Sequence, residues 1–129
     1  MGVHIAERLL SNIFSNVVRA KINNPGYDFI CGKGYKIDSK SACITHTQKY
    51  DVWGFHINRN KVADYFACIA FDNRDSLTPL HFWLIPGYAV NSVKMLTIKT
   101  EYIREDPYLI YERPIEKLQS CCNIMKGEI

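Results

Sequence analysis

No apolar run in this chain approaches the roughly 20 residues that a membrane-spanning helix needs. The opening residues, Met1-Gly2-Val3-His4-Ile5-Ala6-Glu7-Arg8, also lack the charged-then-apolar order of a secretory signal. The expectation is a soluble, cytoplasmic protein with no membrane partner. Paired C-x-x-C spacing is absent too. The five cysteines, Cys31, Cys43, Cys68, Cys121 and Cys122, are odd in number and have no matching His-x-x-x-His. That pattern gives little support to a zinc site, and the cysteines read as reduced thiols in a core. Internal repeats, low-complexity tracts and linkers are missing, so the 129 residues are read as one domain spanning 1–129. No single sign of charge dominates either. Sixteen Lys plus Arg against thirteen Asp plus Glu leave a net +3, which permits a polyanionic partner without demanding one.

What the chain does have is enough apolar material for a real core: 47% of residues are hydrophobic and 22% charged, far from the composition of disordered segments. Ile5, Leu9, Leu10, Ile13, Phe14 and Val17 recur at steps that form one broad helical face, predicting an amphipathic helix over His4–Val18. Asn23-Asn24-Pro25-Gly26 ends it. Tyr27–Cys31 and Tyr35–Ile44 then read as a hairpin around Gly32-Lys33-Gly34. Further strands are expected at Trp53–Ile57, Asp64–Phe71 and His81–Ile85, the fourth so apolar that both of its faces should be buried. Val93–Ile98 suits a peripheral strand and Ile115–Met125 a last helix. The sum is an α/β domain: an N-terminal helix, a mixed central sheet of about five strands, and flanking helices.

Within the hairpin the charges fall in a telling pattern. Strand side chains alternate faces, so Lys36, Asp38 and Lys40 share one face. With a three-residue loop, Cys31 pairs with Tyr35 and Asp28 falls opposite Asp38; a two-residue loop would turn every side chain over. Two carboxylates that approach each other repel unless a cation lies between them, and an oxygen-lined site with waters completing its shell suits Mg²⁺. A metal there would polarise a phosphodiester and lower the pKa of a water, with Lys40 beside it to orient that water and offset developing charge.

The run Pro25-Gly26-Tyr27-Asp28, nine residues, then Asp38-Ser39-Lys40 resembles the PD-(D/E)xK nuclease signature, carried on a hairpin that follows a helix. The resemblance covers a core of residues 4–86, with 91–129 peripheral, and is to small phage and bacterial nuclease domains of the homing or restriction type. It implies a restriction-endonuclease-like fold and a Mg²⁺- or Mn²⁺-dependent endonuclease acting on double-stranded DNA, with a homodimer expected. Asp28 and Asp38 would be metal ligands, Lys40 the catalytic lysine, and Glu7 on the first helix a further ligand. Lys36, His56, Arg59 and Lys61 are candidate substrate contacts. Two features depart from the pattern: the second acid is Asp rather than the commoner Glu, and Gly26-Tyr27 separates Pro25 from Asp28.

Blander readings stand beside these. Asp28, Asp38 and Lys40 would form a surface ion-pair cluster contributing under about 1 kcal/mol. His56 is then a structural strand histidine, Arg59 and Lys61 belong to a solvated turn, and Trp53, His81, Phe82 and Trp83 are core rather than base-stacking groups. The same fold would also serve a module that binds nucleic acid without cutting it. A regulatory domain with no nucleic-acid role is the third class.

Overall fold

The computed structural model describes residues 2–20, 27–57, 63–73, 78–90 and 94–115. Helix α1 covers Gly2–Ser11. Its buried Ala6, Leu9 and Leu10 lie at helical spacing, as the apolar periodicity required. The helix stops well short of Val18. Ser11 Oγ donates to the carbonyl of Glu7 (2.7 Å) and Asn12 Nδ2 to that of Arg8 (3.5 Å), so side chains occupy the carbonyls of the last turn. The β-branched pair Val17-Val18 instead enters an edge strand, β1 (Val17–Arg19).

Strands β2 (Phe29–Cys31) and β3 (Tyr35–Cys43) form the expected hairpin, in the register Cys31↔Tyr35, Ile30↔Lys36 and Phe29↔Ile37. Gly32 makes the turn with φ of 60°, and a Cβ there would lie 3.2 Å from the Phe14 ring. Conformation and space both favour glycine at that point. After β4 (Thr45–His46) and β5 (Asp51–His56), strand β6 (Tyr65–Phe71) pairs in parallel with β3 and antiparallel with β7 (Pro79–Pro86). Strands β8 (Met95–Lys99) and β9 (Glu112–Arg113) complete the set.

Two sheets result. The larger runs β1-β2-β3-β6-β7-β9 and the smaller β4-β5-β8. One face of the large sheet packs Ile37, Ala67, Ile69, Phe82 and Leu84 against α1. The other packs Phe66, Cys68, Ala70, Trp83 and Ile85 against Trp53, Phe55, Leu96 and Ile98 of the small sheet. β6 lies between these two cores, which is why its sequence is almost wholly apolar. Trp53 Nε1 donates to the carbonyl of Phe71 at 2.9 Å, joining the sheets by a buried hydrogen bond.

Several expectations are corrected. The Trp53–Ile57 strand is not part of the central sheet; it pairs with β4 and β8 because alternate Trp53 and Phe55 need a second apolar layer to face. The central sheet has six strands rather than five. Among the described residues α1 is the one α-helix, and Gly87–Val90, Thr100–Glu105 and Pro107–Tyr111 are short 3₁₀ segments. Most of the helix expected at Ile115–Met125 lies outside the described residues, as do Cys121 and Cys122. No helix among the described residues is long and apolar enough to cross a membrane.

Cys31, Cys43 and Cys68 are free thiols. Burial pushes the Cys31 thiol up from 9.0 to about 11, and raises Cys68 as well. Because the folded protein then holds a proton that the unfolded chain releases, stability should fall as pH rises from 9 towards 11. Denaturant midpoints across that window should show the fall, and Cys31→Ala should make it shallower, the Cys68 contribution remaining. Trp53→Phe keeps an aromatic ring, though a smaller one, and removes the N–H from a buried carbonyl. A stability loss of about 1–3 kcal/mol is expected in urea denaturation.

Candidate functional site

The chemistry-bearing residues converge on three successive positions of β3. Ile37 and Cys43 pack with the helix-side core, whereas Ala42 packs with the small-sheet core. Alternation therefore puts Asp38 and Lys40 on the Ala42 side, beside Phe66 and Cys68, their register partners on β6. Asp38 is only 1% exposed, and it is the one buried polar or charged side chain among the described residues. Lys40 Nζ lies 3.2 Å from Asp38 Oδ2, as an ion pair rather than an aligned hydrogen bond. Cys68 feels both: after burial, the Asp38 charge raises its thiol pKa further and Lys40 lowers it.

Asp28 arrives from the other strand of the hairpin. It immediately precedes β2, where its amide donates to the carbonyl of Ile37 (2.9 Å) and its own carbonyl accepts from the amide of Ala20 (2.8 Å). Its carboxylate Oδ2 accepts from both the amide (2.8 Å) and the hydroxyl (3.0 Å) of Ser39. Asp28 is thereby fixed to the residue between Asp38 and Lys40. The odd loop length is present, with Gly32-Lys33-Gly34 joining the Cys31↔Tyr35 pair, but pairing ends at Phe29↔Ile37, so Asp28 meets Ser39 rather than standing opposite Asp38 as expected.

This geometry does not fit a surface ion-pair cluster. A carboxylate taken almost wholly out of water costs several kcal/mol, and one partly exposed lysine offsets only part of that. Carboxylate oxygens of the kind that Asp28 and Asp38 carry are what a hard divalent cation takes, with water completing its shell. Asp28 Oδ2 is taken up by Ser39, so Oδ1 is the oxygen of that carboxylate left to face an ion.

Glu7 is not brought to this site. Its carboxylate pairs with Arg19 of β1, and α1 covers the opposite side of the large sheet from Asp38. Among the described residues no group of three or more His, Cys, Asp or Glu is placed to hold a metal ion, so the expected three-acid set is not assembled. His56 is exposed on the outer face of the small sheet, because Trp53 and Phe55 take the inner one. Lys36 is half-buried, its amide donating to Asp64 Oδ2 (2.8 Å) and its Nζ 5.4 Å from the centroid of the Tyr27 ring. Arg59 and Lys61 lie outside the described residues. Trp53, Phe82 and Trp83 are buried in the two cores, and His81 is part-buried against Trp83 and Glu112.

Two residues were passed over in the sequence. Ser39 sits inside the D-x-K triplet, where the pattern treats the residue as free. Asp64 accepts the Lys36 amide and donates its own to the Lys36 carbonyl (2.7 Å), fastening β3 to the start of β6. A polar residue just before an apolar strand was the available signal for Asp64; for Ser39, its hydroxyl between two charges was.

Removing the partner of the buried charge should be costly. In EDTA, Lys40→Met should destabilise the protein by about 3–5 kcal/mol in denaturant unfolding. Adding Asp38→Asn to that variant should restore most of the loss, since the charge that lacked a counterion is then gone.

No family model matches this chain, and no curated protein matches it. Among solved structures, that of a bacterial homing endonuclease, I-Ssp6803I, is similar over 98% of this chain and 92% of its own, with a TM-score of 0.56 at 16% identity. A likeness at that identity is one of fold: the chain shares with that structure a mixed α/β fold, with several strands and one α-helix among the described residues.

Proposed function

We propose that this protein is a metal-dependent endonuclease of the PD-(D/E)xK type that hydrolyses phosphodiester bonds in DNA. The observation that carries the reading is Asp38, a charged carboxylate buried in the sheet beside Lys40, with Asp28 fixed to the residue between them. Strongly desolvated charges with a specific partner are characteristic of reaction sites rather than of scaffolding. The fold shared with a homing endonuclease supports DNA as the substrate. Double-stranded DNA and a homodimer, giving one cut on each strand, belong to the same proposal.

In this reading Asp28 and Asp38 hold Mg²⁺ or Mn²⁺. The ion, when bound, supplies Lewis-acid polarisation of the phosphodiester and a more acidic water. Lys40 brings its ammonium group to within 3.2 Å of Asp38, where it can hydrogen-bond the attacking water and offset negative charge growing on the phosphoryl oxygens. The apolar residues packed around Asp38 keep the local dielectric low, which strengthens each of these interactions.

The test is cleavage of supercoiled and linear DNA with Mg²⁺, Mn²⁺ or EDTA, by the wild type, Asp38→Ala and Lys40→Ala. Cutting should require metal and fall by about a hundred-fold or more in both variants, a loss typical of removing electrostatic stabilisation from a transition state. Circular dichroism must show both variants folded. Intact DNA under every metal condition, with salt-sensitive binding retained, would instead identify a module that grips DNA without cutting it.

A further inference from the structure

The hairpin ladder breaks at Asp28. Its amide donates to the carbonyl of Ile37, its carbonyl accepts from the amide of Ala20, and β2–β3 pairing runs no further than Phe29↔Ile37. Ser39, in the middle of β3, therefore faces a side chain where a strand carbonyl would normally stand. Its amide is satisfied by the Asp28 carboxylate instead, at 2.8 Å, and its hydroxyl adds a second bond to the same oxygen at 3.0 Å.

Two donors on one carboxylate oxygen hold that oxygen in place and so restrict the rotamer of the group. They also divide its oxygens: Oδ2 is held by β3, and Oδ1 is left for another partner. The amide would be present whatever residue stood at 39. The hydroxyl is the part that the sequence chose, and Ser or Thr supplies it where the apolar residues common in strands cannot. We propose that Ser39 is a positioning residue, orienting the Asp28 carboxylate so that Oδ1 faces the divalent cation; this rests on the nuclease reading above. Outer contacts that orient a ligating carboxylate commonly contribute about ten- to a hundred-fold in metal affinity.

The experiment is Mn²⁺ binding by titration calorimetry to the whole chain, without DNA, for the wild type, Ser39→Ala, Ser39→Thr, Asp28→Ala and Asp28→Asn. The same proteins are assayed for Mg²⁺-activated cleavage, with KM for DNA and kcat separated. Ser39→Ala should bind Mn²⁺ about ten-fold more weakly and need correspondingly more Mg²⁺ for half-maximal cleavage, with KM for DNA unchanged. Ser39→Thr should restore both. Asp28→Asn should stay folded, since its amide oxygen still accepts from Ser39, yet lose the metal.

Wild-type Mn²⁺ affinity in Ser39→Ala, with binding lost in Asp28→Ala, would overturn the positioning role and leave the nuclease reading intact. A Ser39→Ala defect that tracks a lowered melting temperature in EDTA, and that Thr does not repair, would overturn it equally. Unchanged Mn²⁺ binding in Asp28→Ala and Asp28→Asn, or none in the wild type, would sink the nuclease reading itself and this proposal with it.

Discussion

The Asp38 charge is the constraint around which the structure is arranged. It lies on a strand whose two faces both meet apolar cores, and it is closed off from water almost completely. Left alone there, an ionised carboxylate would not survive; it would be protonated or would unfold its surroundings. Lys40 answers that charge only because it is two residues further along the same strand, on the same face. The pair thus depends on β3 being a true extended strand, and on its register being held from both sides.

That register is held by unlike means. On one side, parallel pairing with β6 runs from Ile37↔Tyr65 to Cys43↔Phe71, and Asp64 ties its start to Lys36 through side chain and backbone. On the other, a three-residue turn at Gly32 fixes β2, with the Phe14 ring packed where a larger residue would need to be. A slip of one residue would put Lys40 and Asp38 on the helix side and drive Ile37 into the opposite core. The hydrophobic pattern of β3 and its charge pattern therefore enforce the same alignment.

The hairpin, its odd loop and the continuous burial of β6 were legible because each leaves a local trace: flanking glycines, alternation, an unbroken apolar run. That register brings Asp28 to the neighbourhood of the triplet, but its contact there, with Ser39 rather than Asp38, was not legible, because pairing ends at Phe29↔Ile37. The length of α1 was not legible, since Phe14 and Val17 continue a helical periodicity although Ser11 and Asn12 close the last turn. Nor was the division into two sheets, because Trp53 and Phe55 read identically whether their buried face meets a neighbour in the same sheet or a second layer. Glu7 was misassigned for a related reason: a helix face says which residues are polar, not that Arg19, arriving on an edge strand, will take one of them.

A fold under selection for stability alone has little use for this arrangement. Replacing a buried ion pair by well-packed apolar residues of similar volume is often neutral or stabilising by about 1–4 kcal/mol. Position 38 has apolar neighbours on β6 that would accept such a residue, and position 28 could return to the ladder if its carboxylate were not engaged by Ser39. The chain instead interrupts hairpin pairing at one carboxylate and buries a second beside a lysine. Polar cost of that kind, gathered at three adjacent residues while the rest of both cores is apolar, is what a site built to hold and use charge requires.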